Sequence, residues 1–148
     1  MMPLDGNDMA EIQTLIHNIY KEILWNEGTK TLEFHWDEIT DKLEFEDYIR
    51  ETNEFSEYIT SLKPVNIIIS QEFMKSPLSY EMQNWFLTQQ APIWLRSKLK
   101  KIAVVLNHNL HIQHAIDSVV EKAKDMYDTI PHYRFFSDIE SARRWITH

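Results

Sequence analysis

Two short runs of apolar residues, rich in Val and Ile, stand near the middle of the chain at residues 65–69 and 101–106. Apolar runs that do not alternate with polar residues are typical of strands covered on both faces, as in parallel sheets. Between them, Ser76 and Pro77 have the residue types of an N-cap and a first helical position. Strand, helix and strand together predict a βαβ unit with a right-handed crossover.

The N-terminal third follows a different pattern, with apolar and polar residues alternating over residues 31–36. Alternation places every second side chain on one face of a strand. Residues 12–24 leave two interpretations open, since their apolar residues also fit helical spacing. The turn-like stretch before residue 31, with Gly28, favours an antiparallel hairpin between residues 20–25 and 31–36. Another short strand at residues 12–16 would then precede the hairpin.

Helical periodicity marks three more segments. Residues 41–44 (Asp-Lys-Leu-Glu) have capping-box spacing and predict the start of a helix that ends near Pro64. Its acidic residues are predicted to form a solvated face; they are Glu44, Glu46, Asp47, Glu51, Glu54 and Glu57. Residues 112–127 show the clearest helical repeat, and a second capping box at residues 137–140 opens a final helix after a strand at 132–136.

The predicted order of elements is β-β-α-β-α-β-α-β-α. This order indicates an α/β fold with a mixed, mainly parallel sheet, an N-terminal antiparallel hairpin and four helices. The length of 148 residues suits a single domain. We place that domain at residues 12–148 and predict that residues 1–11, which are mostly polar, are disordered.

Composition narrows the classes of function. A net charge of −8 argues against a nucleic-acid partner, because binding phosphates needs a basic face. With no cysteine, the chain has no disulfide, thiolate nucleophile or cysteine-ligated metal. We see no cofactor-binding motif, so no cofactor is predicted. There is neither a signal-peptide pattern at the N-terminus nor an apolar run of membrane-spanning length, so a cytoplasmic location without a membrane span is expected.

Three stretches resemble a known superfamily. They are Thr-Leu-Glu-Phe-His-Trp at 31–36, the Gln-Asn-Trp helix at 83–85 leading to Lys-Lys-Ile-Ala-Val-Val at 100–105, and the C-terminal stretch from Tyr133 to Ile146. Over residues 12–147 the chain resembles the SpoIIAA-like (STAS-type) superfamily, in particular small bacterial members common in Bacteroidetes. The resemblance implies a sheet laid down strand by strand with helices winding round it. It also implies a role in binding partners or small ligands.

The chain departs from that superfamily at its regulatory serine. Phosphorylatable members carry Asp-Ser-Ser-Gly at the start of the second helix, whereas residues 74–79 here read Met-Lys-Ser-Pro-Leu-Ser. Ser76 and Ser79 are candidate phosphoacceptors, since phosphate is favoured at the positive end of a helix dipole. Without the acidic neighbour and the glycine, we instead predict that these serines cap the helix and are not phosphorylated.

Apolar residues concentrate around the second predicted helix. Open α/β sheets bind ligands at the carboxyl ends of their strands, so these residues are candidates for a ligand pocket. Aromatic residues at helical spacing also form cores and interfaces, and the surplus of aromatic side chains here predicts a homodimer. The candidates for pocket or interface are Phe73, Met74, Met82, Trp85, Phe86 and Trp94.

The alternative function, that of an enzyme, rests on three histidines. His111 and His114 are three residues apart on a predicted helix and could share a metal, with His108 reaching it from the preceding loop. No acidic general base accompanies them as in zinc hydrolases. We therefore predict no metal and no catalytic residue. The predicted function is a non-catalytic module that binds a protein partner or an apolar small molecule, and the alternative is a histidine-dependent metalloenzyme or hydrolase.

Overall fold

A computed structural model of the chain describes residues 12–38, 41 and 43–148. The N-terminal segment predicted to be disordered, residues 1–11, lies outside the described residues. Within them the chain forms a six-stranded sheet whose strands follow one another in chain order. The strands are β1 (Ile12–His17), β2 (Lys21–Asn26), β3 (Thr31–Trp36), β4 (Asn66–Ser70), β5 (Lys101–Val105) and β6 (His132–Phe136). β4, β5 and β6 are each parallel to the strand that precedes them.

The N-terminal region consists of strands, as the hairpin interpretation requires. β2 and β3 pair antiparallel, with Ile23 opposite Phe34 and Trp25 opposite Leu32. β1 adds a third antiparallel strand with an irregularity between Thr14 and Ile16. This strand confirms the short strand expected at residues 12–16, which the predicted order of elements had not counted. Strands are favoured over a helix because alternation buries Ile23 and Trp25 on one face of the sheet.

The helices are α1 (Phe45–Leu62), α2 (Tyr80–Trp85), α3 (Ala91–Arg96), α4 (Leu110–Met126) and α5 (Ile139–Ile146). A π-helical turn, Phe86–Gln90, joins α2 to α3. The helical backbone thus continues through the Ala-Pro pair at 91–92, although a proline inside a helix usually breaks or kinks it. Proline cannot donate a backbone hydrogen bond, and the wider turn accommodates that loss. None of the helices in the described residues is both long and apolar enough to cross a membrane.

Two helices begin later than their capping motifs predicted. α1 begins at Phe45, where Glu44 and Asp47 form a reciprocal capping box in place of the predicted box at residues 41–44. α5 begins at Ile139, and Asp138 caps it by accepting a hydrogen bond from the backbone of Ser141. In both cases a neighbouring acidic residue caps the helix, because several residues near each helix start are able to do so.

The helix after β4 also begins later than predicted. Ser79, not Ser76, is its N-cap: Oγ of Ser79 accepts a 3.1 Å hydrogen bond from the backbone nitrogen of Met82. The preceding residues stay in a loop because the buried side chain of Asn107 donates to the carbonyl oxygens of Gln71 and Met74. Pro77 therefore lies in the loop and is not the first helical residue.

Replacing Ser79 with Ala is expected to lower the free energy of unfolding by about 1 kcal/mol, because the cap of α2 is lost. The matched control is Ser76→Ala, which removes the same hydroxyl from the loop and should leave stability nearly unchanged. Urea unfolding of both variants measures the difference. A larger loss in Ser76→Ala than in Ser79→Ala would show that the helix is capped at the other serine.

The helices cover the two faces of the sheet unequally. On the first face α1, the α2–α3 segment and α4 contribute Phe55, Trp94 and Ile112 to the main core. On the second face, α5 packs Ala142 and Ile146 against β4 and β5. Both faces of β4 and β5 are therefore covered, which explains the consecutive apolar residues at 67–69 and 102–105.

Candidate functional site

A cavity of about 160 Å³ lies between the first face of the sheet and the helices that cover it. Its floor includes Ile69 of β4 and Tyr133 of β6, and its walls include Trp94 of α3 and Val119 of α4. Nearly all of its lining atoms are apolar, and no charged side chain of the described residues lines it. This is the chemistry of a site for an uncharged, apolar molecule.

Aromatic rings form one wall of the cavity. Trp36 stacks on Tyr48 with ring centroids 5.8 Å apart, and Phe86 meets Trp94 edge-to-face at 5.0 Å. Phe55, fully buried, supports the wall from behind with a ring centroid 5.5 Å from that of Trp94. Such contacts hold the rings in fixed orientations and so keep the wall in place.

The cavity exists because α4 packs closely on the sheet along only part of its length. Ile112 and Ile116, in its N-terminal half, are buried, whereas Val119, Val120 and Ala123 farther along are only half-buried and face the cavity. The C-terminal end of α4 is held by polar contacts of Lys122 and Tyr127.

The far end of α4 is tied to the π-helical turn. The hydroxyl of Tyr127, the C-cap residue, donates a 2.5 Å hydrogen bond to the carbonyl oxygen of Leu87. One turn earlier, the ammonium of Lys122 lies 4.7 Å from the ring centre of Tyr80. α4 thus bridges the cavity, with close packing at one end and polar or cation–π contacts at the other.

Two residues that line the cavity each have a buried polar atom without a hydrogen bond. Gln71 is 7% exposed and Thr52 is 4% exposed. Oε1 of Gln71 and Oγ1 of Thr52 have no hydrogen-bond partner among the residues that the structure describes. Leaving a buried polar atom unpaired costs about 1–3 kcal/mol, so such atoms usually have a partner.

Tyr48 adds a third polar group to the lining. Burial raises the pKa of its phenol well above the ordinary value, and the nearby Thr52 hydroxyl only partly opposes that effect. The phenol is therefore neutral at physiological pH. The Thr52 hydroxyl is near the phenol, but its Oγ1 has no partner in hydrogen-bond geometry among the described residues.

The predicted pocket residues divide between this cavity, the core and the surface. Phe86 and Trp94 line the cavity. Met74 and Met82 are buried in the main core, and Trp85 packs against that core. Phe73 is 51% exposed. The surplus of aromatic side chains behind the homodimer prediction is thus largely buried within the chain, and dimerisation stays a prediction.

The predicted histidine cluster lies at the start of α4. His108 is in the loop before the helix, and His111 and His114 are on its first turns, all three exposed. In the described part of the chain, no group of three or more metal-ligating side chains is arranged to hold an ion. Of the two serines, Ser79 caps α2 while Ser76 lies in the loop.

A charged cluster on the second face of the sheet was not foreseen. Glu33 of β3 is 3% exposed and accepts two hydrogen bonds from Arg143 of α5, from Nε at 2.9 Å and from Nη2 at 2.8 Å. His35 contacts the same carboxylate at 2.7 Å. Burial raises the pKa of Glu33, but His35 and Arg143 outweigh it and hold that pKa below its ordinary value. The paired carboxylate ties α5 to the sheet.

The prediction that the acidic face of α1 is solvated holds for Glu44, Glu46 and Glu57, which are exposed, and is wrong for Glu51, which is buried beside a lysine. Lys21 of β2 has no exposed surface, and its ammonium contacts the carboxylates of Glu51 and Glu54. Glu51, itself buried, also accepts 2.8 Å hydrogen bonds from Asn18 and from Arg50. Lys21 points toward α1 from the first face of the sheet, so the glutamates that meet it are drawn inward. These groups satisfy one another and have a structural role.

Comparison of the chain with protein-family models, with curated proteins and with solved structures finds no match.

Proposed function

We propose that this chain is a non-catalytic binding module of SpoIIAA-like type that holds a small apolar molecule in the cavity beneath α4. One observation carries the proposal: a cavity of about 160 Å³, lined almost entirely by apolar atoms and walled by aromatic rings, lies beneath the part of α4 that does not pack closely on the sheet. Sites for small apolar molecules are concave and are lined mainly by apolar and aromatic side chains.

The cavity extends along the first face of the sheet. It reaches from Gln71, which directly follows β4, to Pro131, which precedes β6. The SpoIIAA-like assignment is supported by the strand order, which follows the chain as the sequence resemblance implies. A phosphorylation switch is not part of the proposal, because the Asp-Ser-Ser-Gly pattern is missing.

The size of the cavity limits the ligand. A dry, engineered cavity of about 150 Å³ in another protein is known to accept benzene. The cavity described above, at about 160 Å³, is of similar size. It therefore suits one aromatic ring with a small substituent, or a short alkyl chain.

Filling the cavity tests the proposal. Toluene at about 100 times its dissociation constant should stabilise the native protein by about 2.7 kcal/mol in thermal unfolding. Val120→Phe places a ring in the cavity and should abolish this stabilisation while the protein remains folded. Glu121→Phe adds the same ring on the exposed side of α4 and should keep the toluene effect.

Two results would contradict the proposal. The first is a wild-type protein that toluene, indole and short alkanols all fail to stabilise. The second is a Val120→Phe variant that responds to toluene as the wild type does, since binding would then take place elsewhere. Native mass spectrometry of protein purified from cells complements the test, because a retained small molecule should be found on the wild type and not on Val120→Phe.

A further inference from the structure

The cavity beneath α4 is more exposed at one end than at the other. At the carboxyl end of the strands, the lining residues Trp36 and Gln71 are buried, with Leu78 half-buried beside them. At the amino end of β5 and β6, lining residues from four neighbouring segments are all half-buried and so meet solvent. They define the mouth of the cavity and are Leu95, Ile102, Ile130, Pro131 and Tyr133.

Basic side chains gather around the mouth. Residues 82–116 contain no Asp or Glu, although the chain has 23 acidic residues and a net charge of −8. Within that segment Arg96 ends α3, and Lys98 and Lys100 follow it in the loop that leads to β5. All three are exposed. One side of the mouth is therefore positively charged in an otherwise acidic chain.

Two lysines are placed next to lining residues. Main-chain hydrogen bonds on both sides make Lys100 an extension of β5, so its side chain lies on the same face of the sheet as that of Ile102. Lys124 of α4 holds its ammonium 5.5 Å from the ring centre of Tyr133. Because Ile102 pairs with Tyr133 between β5 and β6, the two lysines flank the same part of the mouth.

The acidic residues of this region do not neutralise the lysines. Residues are spaced 100° apart around a helix, and Ala123 faces the cavity, so Glu121 and Asp125 lie on the far side of α4. Glu121 contacts Lys124 at 3.4 Å, but both side chains are exposed and such a pair contributes little. Asp128, in the loop before β6, is outnumbered by the basic residues, and the mouth stays positive.

The ends of two helices limit the charge of an anion bound there. α3 and α4 both end beside the mouth, and the C-terminus of a helix carries a partial negative charge. That charge repels a doubly charged phosphate more strongly than a singly charged carboxylate. A carboxylate at the mouth also stays in solvent, so the apolar lining does not have to bury its charge.

The shape of the cavity favours a chain over a ring. The lining reaches from Gln71, after the carboxyl end of β4, to Pro131, before the amino end of β6. Strands of this length span about 16 Å, so the volume of about 160 Å³ is drawn out along the sheet. A cavity elongated in this way suits a linear alkyl chain that enters from the mouth.

We infer that the ligand is a straight-chain monocarboxylate of about six to eight carbons, since a cavity of similar volume holds the six carbons of benzene. Its uncharged alkyl chain lies in the cavity, and its carboxylate lies outside, at the mouth, beside Lys100 and Lys124. The inference rests on the proposed function, because the chain is the apolar body that the cavity holds, and it adds the chemical class of the ligand's polar group.

Three probes with the same chain test the inference by calorimetry at pH 7 and low salt: hexanoate, 1-hexanol and hexylammonium. Hexanoate should bind about 3- to 10-fold more tightly than 1-hexanol, because each exposed ion pair adds a modest gain. Hexylammonium should bind more weakly than 1-hexanol. Salt at about 1 M shortens the Debye length to about 3 Å and should bring the affinities of hexanoate and 1-hexanol together.

Chain length tests whether the alkyl part is buried. From butanoate to hexanoate the affinity should rise about 3- to 4-fold for each added methylene group, as is typical of burial in an apolar site. The cavity-filling variant Val120→Phe should abolish binding of hexanoate and of 1-hexanol alike.

Charge variants assign the preference to its residues. The double variant Lys100→Gln/Lys124→Gln should lose the preference for hexanoate and keep the wild-type affinity for 1-hexanol, which also reports that the variant is folded. Lys75→Gln makes the same change in the loop after β4, at the opposite end of the strands, and should keep the preference.

The outcomes separate this inference from the proposed function. If toluene and all three hexyl probes fail to bind, the cavity is not a ligand site and both fail. If 1-hexanol or hexylammonium binds at least as tightly as hexanoate at low salt, the carboxylate assignment fails while the binding module stands. A preference for hexanoate that persists in the double variant would show that the two lysines only balance the helix ends, and would overturn the inference. Wild-type affinity of Val120→Phe for hexanoate, or no rise in affinity from butanoate to hexanoate, would overturn it too.

Discussion

Replacing Lys21 with Met is expected to lower the free energy of unfolding by about 3–5 kcal/mol. Met fills nearly the same volume, so the loss arises from charge. Lys21 has no exposed surface, and its removal leaves the buried carboxylate of Glu51 without its ammonium partner. Arg50 still contacts the other oxygen of that carboxylate, which keeps the loss toward the lower end of the range. Urea unfolding measures it.

Two further variants test whether the loss of stability arises because the Glu51 carboxylate is left buried without its partner. Lys98→Met makes the same substitution at an exposed lysine and should change stability by less than about 0.5 kcal/mol. The double variant Lys21→Met/Glu51→Met removes both charges and should be more stable than Lys21→Met alone, because no buried carboxylate remains unpaired. A double variant whose loss equals the sum of the two single losses would show that the two residues act independently.

Replacing Arg143 with Met is expected to cost about 3 kcal/mol of unfolding free energy, by the same physical mechanism at the opposite face of the sheet. Glu33 would keep only His35 as a partner for its buried carboxylate. Arg144→Met changes the exposed neighbour in the same helix and is the matched control, with little expected effect. Equal losses in the two variants would rule out a special role for the bond between Glu33 and Arg143.

The dependence of stability on pH provides a second test of the ion pair between Glu33 and Arg143. The pKa of Glu33 is held below its ordinary value of 4.5 in the folded protein. A carboxyl group of this kind contributes stability above pH 4.5, and that contribution is lost as the pH falls through the lower folded pKa. In Arg143→Met the folded pKa rises, so the difference in stability between wild type and variant should shrink steadily below about pH 4.5. A difference that stays constant from pH 7 to pH 3 would mean that Arg143 stabilises by packing alone.

The strands could be predicted from the sequence because their patterns report which faces are covered. β4 and β5 are apolar at their centres, over residues 67–69 and 102–105, because helices cover both of their faces, and β3 alternates because its second face carries Glu33 and His35. The choice of a hairpin over a helix before Gly28 depended on the turn, and the pairing of β2 with β3 confirms it.

The helix starts were less predictable because the sequence offers several caps and the tertiary structure selects among them. Ser76 and Ser79 are equivalent by residue type. What distinguishes them is Asn107, more than 25 residues farther along the chain, which fixes the loop before Ser79 through two carbonyl groups. Local spacing contains no information about that contact.

Only some residues of the candidate site could be predicted from the sequence, for a related reason. Phe86 and Trp94 could be proposed as pocket residues because aromatic side chains near a sheet edge are conspicuous. Gln71 and Thr52 could not be proposed from the sequence. Whether a polar atom has a hydrogen-bond partner depends on all the residues that pack around it. Glu33 and Arg143 are 110 positions apart, and Glu51 looked like one of several surface glutamates until Lys21 was found opposite it.

The order of the strands has a consequence for how the protein is made. Each strand of the described sheet lies beside the strand that precedes it in the chain. A ribosome delivers the N-terminal strands first, at about 5–20 residues per second, whereas a hairpin forms in about 1–10 μs. β1, β2 and β3 therefore have time to pair before β4 is synthesised, and each later strand adds to an edge that is already formed. No described strand has to enter between two others, so translation itself can set the sequence of assembly.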